Sequence, residues 1–87
     1  MTKKSVKIQL DGGLEARPIA VLVQVASQYD STVHLETEDK RVNAKSIMGM
    51  MSLGLDSGET VVVTAEGADE QAAVDSIEKF LSGVDVA

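Results

Sequence analysis

The chain has no cysteine and no tryptophan, and it contains only one tyrosine, one phenylalanine and one histidine. Without cysteine it cannot form a disulfide, a thiolate nucleophile or a cysteine-ligated metal cluster. The scarcity of aromatic rings argues against a single-stranded nucleic-acid surface, because such surfaces stack bases on aromatic side chains. Function must therefore rest on hydroxyl, carboxylate, basic and aliphatic side chains.

Positive charge is also scarce. The chain has 8 Lys and Arg residues and 14 Asp and Glu residues, which gives a net charge of -6. An acidic chain repels DNA phosphates and acidic membrane surfaces on average, so we expect no direct nucleic-acid partner and no membrane partner. No run approaches the about 18 apolar residues of a membrane-spanning helix, and no apolar signal region follows the first lysines. We expect a cytoplasmic protein.

The length and composition indicate one small folded domain. The 87 residues fall below the roughly 100–150 of a typical domain, so there is no room for two. A hydrophobic fraction of 44% with 25% charged residues argues against disorder. We find no linker and no internal repeat, and we expect a single domain over residues 1–87.

Alternation of apolar and polar residues predicts four strands. They are centred on Val6–Leu10, Thr32–Thr37, Lys40–Asn43 and Glu59–Glu66. The second and third strands are close enough in the chain to form a hairpin through a turn at residues 38–39.

Three helices are predicted between and after these strands. The first covers residues 16–28; its valines would also suit a strand, but its length and Pro18 in the first turn favour a helix. A short second helix starts after Ser46 as N-cap and ends by Gly54. Asp69 is the predicted cap of the last helix. Its apolar stripe includes Ala73, Ile77 and Phe80, with Val74 and Leu81 beside it.

The order β-α-β-β-α-β-α predicts an α+β fold, in which three helices pack on one face of a four-stranded antiparallel sheet. Gly12 and Gly13 lie directly after the first strand, where they favour a turn. They could also serve as a hinge for exchanging that strand between copies, so monomer and strand-exchanged homodimer are both left open.

Catalytic and metal-binding patterns are missing from the sequence. His34 lies on the polar face of a predicted strand with no second ligand in a metal-binding spacing, and we interpret it as a structural surface residue. The Gly12–Gly13 pair lacks the spacing of a phosphate-binding loop. We predict no catalytic residue, no metal and no cofactor.

Two segments nevertheless stand out. In Gly13–Pro18, Glu15 precedes the N-terminus of the first helix, where an anion is favoured, although it could simply be an acid in a cap region. In Asn43–Leu53, Ser46 opens a helix too short to bury all its apolar side chains. Met48 and Met51 should face solvent if Met50 and Leu53 face inward; the alternative is that all the methionines are core residues.

Together these segments resemble the histidine-containing phosphocarrier (HPr) family of the sugar phosphotransferase system. The family pattern Gly-(Leu/Ile)-His-Ala-Arg-Pro corresponds to Gly13–Pro18, with Glu15 at the position of the phosphorylated histidine. The regulatory-serine segment corresponds to Lys45–Gly49. The resemblance is greatest to the catabolite-repression branch, the Crh proteins, which lacks the histidine, usually has glutamine there, and keeps the serine.

The resemblance implies a non-enzymatic regulatory protein. Ser46 would be phosphorylated by an ATP-dependent HPr kinase/phosphorylase, and the phosphoprotein would act as corepressor for catabolite control protein A, a LacI-type regulator. The implied partner-binding residues are Arg17, Ala20, Lys45, Ile47, Met48 and Met51.

Glu15 leaves other functions open. A carboxylate is a poorer nucleophile than imidazole, but a phosphocarrier that forms an acyl phosphate on Glu15 is the alternative function. Glu15 could instead mimic part of the charge of a phosphohistidine, or only abolish transfer. A degenerate family member without a regulatory role is the third hypothesis.

Overall fold

The computed structural model describes residues 1–83. Four antiparallel strands form one sheet in the order β1-β4-β2-β3. The strands are β1 (Thr2–Lys7), β2 (Thr32–Glu36), β3 (Arg41–Asn43) and β4 (Thr60–Glu66). The expected domain of 1–87 includes residues 84–87, which lie outside the described part.

Three helices pack on one face of this sheet: α1 (Ala16–Ser27), α2 (Ile47–Met51) and α3 (Glu70–Leu81). The predicted α+β fold is therefore confirmed. Alternate residues of β4 face the helices, and Val61, Val63 and Ala65 are all buried there. Among residues 1–83, no helix has the length and apolar character needed to cross a bilayer.

Residues 16–27 form helix α1, although the valines in this segment would also have suited a strand. Ile19, Leu22, Val25 and Ala26 are buried and recur at helical spacing, so one face of the helix joins the core. Pro18 is the third helical residue, within the first turn, where its missing N–H breaks no intrahelical bond. Tertiary burial of this stripe outweighs the β-propensity of the valines.

Strand β1 starts earlier and ends earlier than its alternation suggested. The regular strand stops at Lys7, but Ile8 still exchanges backbone hydrogen bonds with the loop before β4. Its N–H donates to Glu59 at 2.8 Å, and its carbonyl accepts from Gly58 at 2.7 Å. Ile8 is fully buried, whereas Leu10 is only half-buried. Helix α2 also ends early, at Met51, and Gly54 follows with a φ of +59°.

The predicted capping role of Asp69 was wrong. Asp69 stands at the N-cap position of α3, but its side chain makes no capping hydrogen bond. Its carboxylate instead accepts from the backbone N–H groups of Asp30 at 2.9 Å and Ser31 at 3.0 Å, and from the Ser31 hydroxyl. The Ser31 and Asp30 bonds lower the pKa of Asp69. Asp69 therefore ties the chain before β2 to the start of α3.

The apolar stripe of α3 is centred differently from the prediction. Ala73, Val74, Ile77 and Leu81 are buried, but Phe80 is only half-buried and packs at the edge of the core. The stripe follows the helix period, and the ring of Phe80 lies at its margin. The core therefore relies on aliphatic side chains.

Candidate functional site

Glu15 lies at the surface directly before α1. Its backbone is extended and takes the N-cap position, and its carbonyl accepts the first helical hydrogen bond from Ile19 at 2.9 Å. Its side chain makes no capping bond. The carboxylate lies over Gly12, where an added Cβ would be 3.5 Å from Oε2. Glu15 is an exposed residue, and its carboxylate is accessible.

The segment that carries Glu15 is fastened to the loop after α2. The N–H of Leu14 donates to the carbonyl of Leu55 at 2.8 Å, and both leucine side chains are buried. Gly13 has a φ of +78°, and a Cβ there would lie 2.7 Å from the Leu55 carbonyl oxygen. Only glycine fits this close approach, so the loop before Glu15 is held in place.

Ser46 opens α2 as predicted. Its Oγ accepts from the N–H of Gly49 at 3.2 Å, and its carbonyl accepts from Met50 at 3.0 Å. Its backbone is extended, as an N-cap residue requires. Ser46 is half-buried. The hydroxyl acts here as an acceptor, which leaves its proton available for donation or replacement.

Exposed apolar side chains follow Ser46 directly. Met48 is 86% exposed, Met51 54% and Ile47 48%, whereas Met50 is fully buried in the core. Of the two alternatives, the structure shows the one in which Met50 faces inward and Met48 and Met51 face solvent, and Leu53 is half-buried. Three exposed apolar side chains within a five-residue helix form a patch. Such patches are typical of a site that contacts another protein.

Helix α1 lies against α2 and contributes further exposed residues. Arg17 and Ala20 are both exposed, as their predicted partner-binding role requires. Val21 is 40% exposed on the same surface, and it was not among the residues expected from the sequence. Its signal was its position one helical turn after Arg17, on the face that Arg17 and Ala20 share.

Lys45 is placed differently from the other predicted partner-binding residues. It is half-buried, and its Nζ donates to the backbone carbonyl of Tyr29 at 2.7 Å. Its own N–H donates to Asn43 Oδ1 at 2.8 Å. The ammonium group therefore contacts the end of α1 and is not directed freely into solvent.

His34 lies on the sheet, on a different element from Glu15 and Ser46. Its Nδ1 is 3.4 Å from Arg41 Nη2, and Arg41 Nε pairs with Glu36 at 2.9 Å. Burial lowers the pKa of His34, the positive charge of Arg41 lowers it further, and Glu36 opposes both. This polar cluster fits the structural interpretation of His34. In the described part of the chain, no three His, Asp or Glu side chains converge to hold a metal ion.

The sequence of residues 2–83 matches the family model described as PTS HPr component phosphorylation site. The chain belongs to the HPr family. It is an HPr-like protein of the regulatory and phosphocarrier class.

Relatives and solved structures agree with this assignment. The chain is 46% identical to the HPr-like protein Crh of Halalkalibacterium halodurans over 81 residues, covering 93% of this chain and 96% of the relative. The phosphocarrier protein HPr of Bacillus anthracis has a TM-score of 0.89 and 39% identity, with 92% and 95% covered. Bacillus subtilis Crh, described as a dimer with a swapped domain, has a TM-score of 0.80 and 41% identity, with both chains fully covered.

Proposed function

We propose that this chain is a non-enzymatic regulatory protein of carbon catabolite repression, switched by phosphorylation of Ser46. The modifying enzyme is an HPr kinase/phosphorylase, and the phosphorylated chain acts as corepressor for a LacI-type catabolite control protein. The carrying observation is the position of the Ser46 hydroxyl, next to exposed Ile47, Met48 and Met51. The similarity to Crh proteins supports the same function.

The chemistry is a phosphoryl transfer from ATP. A bond forms between Ser46 Oγ and the γ-phosphorus while the bond from that phosphorus to the β,γ-bridging oxygen breaks. ADP leaves, and the hydroxyl proton passes to a base of the kinase. The product adds about -1.5 to -2 charges and three strong acceptor oxygens. The N–H of Gly49, already directed at Oγ, is a donor for the new group.

The surface around Ser46 suits a partner with two features. Basic side chains would bind the phosphate through charge-assisted hydrogen bonds. An apolar pocket would accept Met48 and its neighbours, whose flexible side chains adapt to a surface. Arg17 and Ala20 of α1 extend this partner-binding surface. Lys45 is the remaining residue of the proposed surface, and its ammonium group donates to the Tyr29 carbonyl.

The proposed setting is the cytoplasm, with the chain acting as one domain without a cofactor. The described swapped dimer of Bacillus subtilis Crh favours a strand-exchanged homodimer over a monomer. In this chain the exchanged element would be β1, and the turn at Gly12 and Gly13, with φ of +81° and +78°, would be the hinge.

The first test is incubation with purified HPr kinase/phosphorylase and ATP, followed by intact-mass and fragment mass spectrometry. We expect one phosphate, on Ser46, and none on the Ser46→Ala variant. The matched control is Ser52→Ala, because Ser52 is an exposed serine at the other end of α2. Loss of the label in the Ser52→Ala variant alone would refute the assignment.

The second test measures binding of the phosphorylated chain to the LacI-type regulator by fluorescence anisotropy, with labelled operator DNA. We expect operator binding to tighten in the presence of the phosphorylated chain and to be unchanged by the unmodified chain. Equal operator affinity with both forms would contradict the corepressor function even if Ser46 is phosphorylated.

A phosphocarrier that uses Glu15 is the second candidate. It is favoured by one observation, the exposed Glu15 carboxylate that makes no capping bond. Enzyme I with phosphoenolpyruvate tests it: a label that hydroxylamine removes, absent from Glu15→Gln, would support an acyl phosphate. We expect no transfer to the parent chain, because a carboxylate is a poorer nucleophile than the imidazole of a histidine.

A further inference from the structure

The chain segment at the end of α1 is a junction between all three helices. The Tyr29 carbonyl accepts from Lys45 Nζ, next to Ser46, at 2.7 Å. The Tyr29 hydroxyl shares a hydrogen bond with Ser76 of α3. The following N–H groups of Asp30 and Ser31 donate to Asp69. One short segment therefore reaches both the neighbour of Ser46 and helix α3.

The acceptor that holds Lys45 is a neutral carbonyl. A phosphate on Ser46 would place about -1.5 to -2 charges on the adjacent residue. The bond to the carbonyl is charged only on the lysine side, whereas a bond to the phosphate would pair two opposite charges, so the phosphate is the stronger acceptor for an ammonium group. The lysine stem is flexible and its three donors rotate freely. A rotation of the Lys45 side chain could therefore carry the ammonium group from one acceptor to the other.

We propose that Lys45 is a phosphorylation-sensitive clamp, which holds the end of α1 through the Tyr29 carbonyl and transfers to the phosphate when Ser46 is modified. The proposal rests on the proposed phosphorylation of Ser46. It assigns Lys45 an intramolecular role before it meets any partner. Transfer would release the Tyr29 carbonyl and loosen the junction with α3, so the modification would be sensed beyond α2.

The test uses the full chain with phosphoserine incorporated at position 46 during translation, so that no kinase is needed. The 13C shift of the Tyr29 carbonyl is measured by NMR with and without the substitution Lys45→Met, which keeps an apolar stem. In the unmodified chain we expect this substitution to move the Tyr29 signal. In the phosphorylated chain we expect no change, because the contact has already been lost.

A second readout follows the phosphate itself. The 31P shift is titrated with pH, and Lys45→Met should raise the second pKa of the phosphate, ordinarily about 6, because a nearby positive charge is removed. Lys79→Met is the matched control, since Lys79 is an exposed lysine near the end of α3, and it should leave both signals unchanged.

Equal movement of the Tyr29 carbonyl signal in both backgrounds, or an unchanged phosphate pKa, would overturn the clamp. These outcomes are separate from those of the proposed function. A kinase that ignores Ser46 leaves the phosphoserine measurements valid, and a failed clamp leaves the kinase result standing.

Discussion

The backbone N–H of Leu14 donates to the carbonyl of Leu55 at 2.8 Å and joins two segments that are far apart in the sequence. One segment leads into Glu15 and α1, and the other follows the helix that Ser46 opens. Both leucine side chains are buried, so the hydrogen bond is shielded from water. The positions of Glu15 and α2 are thus fixed relative to each other by a core contact.

The first prediction concerns Gly13, which makes this contact possible. Gly13→Ala should destabilise the protein by at least about 2 kcal/mol, because the new Cβ would combine a positive φ with a backbone clash. The added Cβ would lie 2.7 Å from the Leu55 carbonyl oxygen and 2.8 Å from the Asp56 Cα. Urea unfolding measures the effect.

The matched control for Gly13 is Gly58→Ala, because Gly58 also has a positive φ but has open space around its missing side chain. We expect a smaller loss of about 1–2 kcal/mol from backbone strain alone. Equal losses at the two positions would show that the close approach to Leu55 is not significant.

The second prediction concerns Gly49, which leaves space beside the Ser46 hydroxyl. Gly49→Ala should maintain or raise stability, since alanine is favoured over glycine in a helix by about 0.5–1 kcal/mol. The added Cβ would lie 3.4 Å from Ser46 Oγ. Phosphorylation of Ser46 should slow about tenfold, which corresponds to about 1.4 kcal/mol of barrier. Initial rates with the kinase measure this, and an unchanged rate in a stably folded variant would contradict it.

The third prediction separates binding from stability within α2. Met48→Ala should change stability by less than about 0.5 kcal/mol, because Met48 is almost fully exposed. It should weaken binding of the phosphorylated chain to the regulator by about 1–2 kcal/mol, as expected for a contact residue.

Met50→Ala, two residues further along, is the counterpart. Met50 is fully buried, so its removal should cost about 2–5 kcal/mol of stability. Denaturant unfolding and anisotropy on both variants check the pair. If the Met48→Ala variant bound the regulator as tightly as the parent, Met48 would not be part of the partner-binding surface.

The fourth prediction is a pH dependence that belongs to Glu70. The Thr2 hydroxyl donates to its carboxylate at 2.7 Å, and Gly67 donates at 3.2 Å. The Thr2 bond is the main reason that the pKa of Glu70 falls from 4.5 to about 2. A lowered pKa stabilises the fold above about pH 4.5, and this contribution is lost as the pH falls towards 2.

Glu70→Gln should therefore lose less stability than the parent between pH 5 and pH 2, which pH-dependent urea unfolding would show. Glu38→Gln is the control, because Glu38 is an exposed acid in the turn between β2 and β3. That variant should follow the parent. Parallel pH profiles for the parent and Glu70→Gln would refute this prediction.

The fifth prediction concerns the charge at Glu15. If its carboxylate mimics part of a phosphohistidine, Glu15→Gln should change the affinity of the phosphorylated chain for the regulator. The effect of removing one exposed charge should be modest, about 0.5–1 kcal/mol, and smaller at high salt. Equal affinity of the two forms at low salt would show that Glu15 has no such role.

The sequence predicted the features that depend on local pattern. The length of its apolar run and Pro18 in its first turn identified α1, and Ser46 identified the start of α2. The exposure of Met48 followed from the shortness of that helix, since one inward residue, Met50, determines which of its neighbours face solvent.

The features that escaped prediction depend on contacts between distant residues. Asp69 was expected to cap its own helix, but its oxygens bind a segment 38–39 residues away in the chain. Lys45 was expected to face a partner, and it donates to a carbonyl 16 residues away. Capping preferences describe only neighbours in the chain, so no periodicity could have identified these partners.

Strand β1 forms one border of the sheet and carries Lys3, Lys4 and Lys7. An edge strand has unpaired backbone groups with which a strand of another chain can pair. Lysines on such an edge oppose fibril growth through charge repulsion and through the cost of dehydrating them. Lys4 is further engaged with Glu78 at 2.7 Å. The lysines of β1 therefore disfavour the addition of further strands to the sheet. A reciprocal exchange of β1 between two copies would recreate its pairing with β4, so it is compatible with this charged edge.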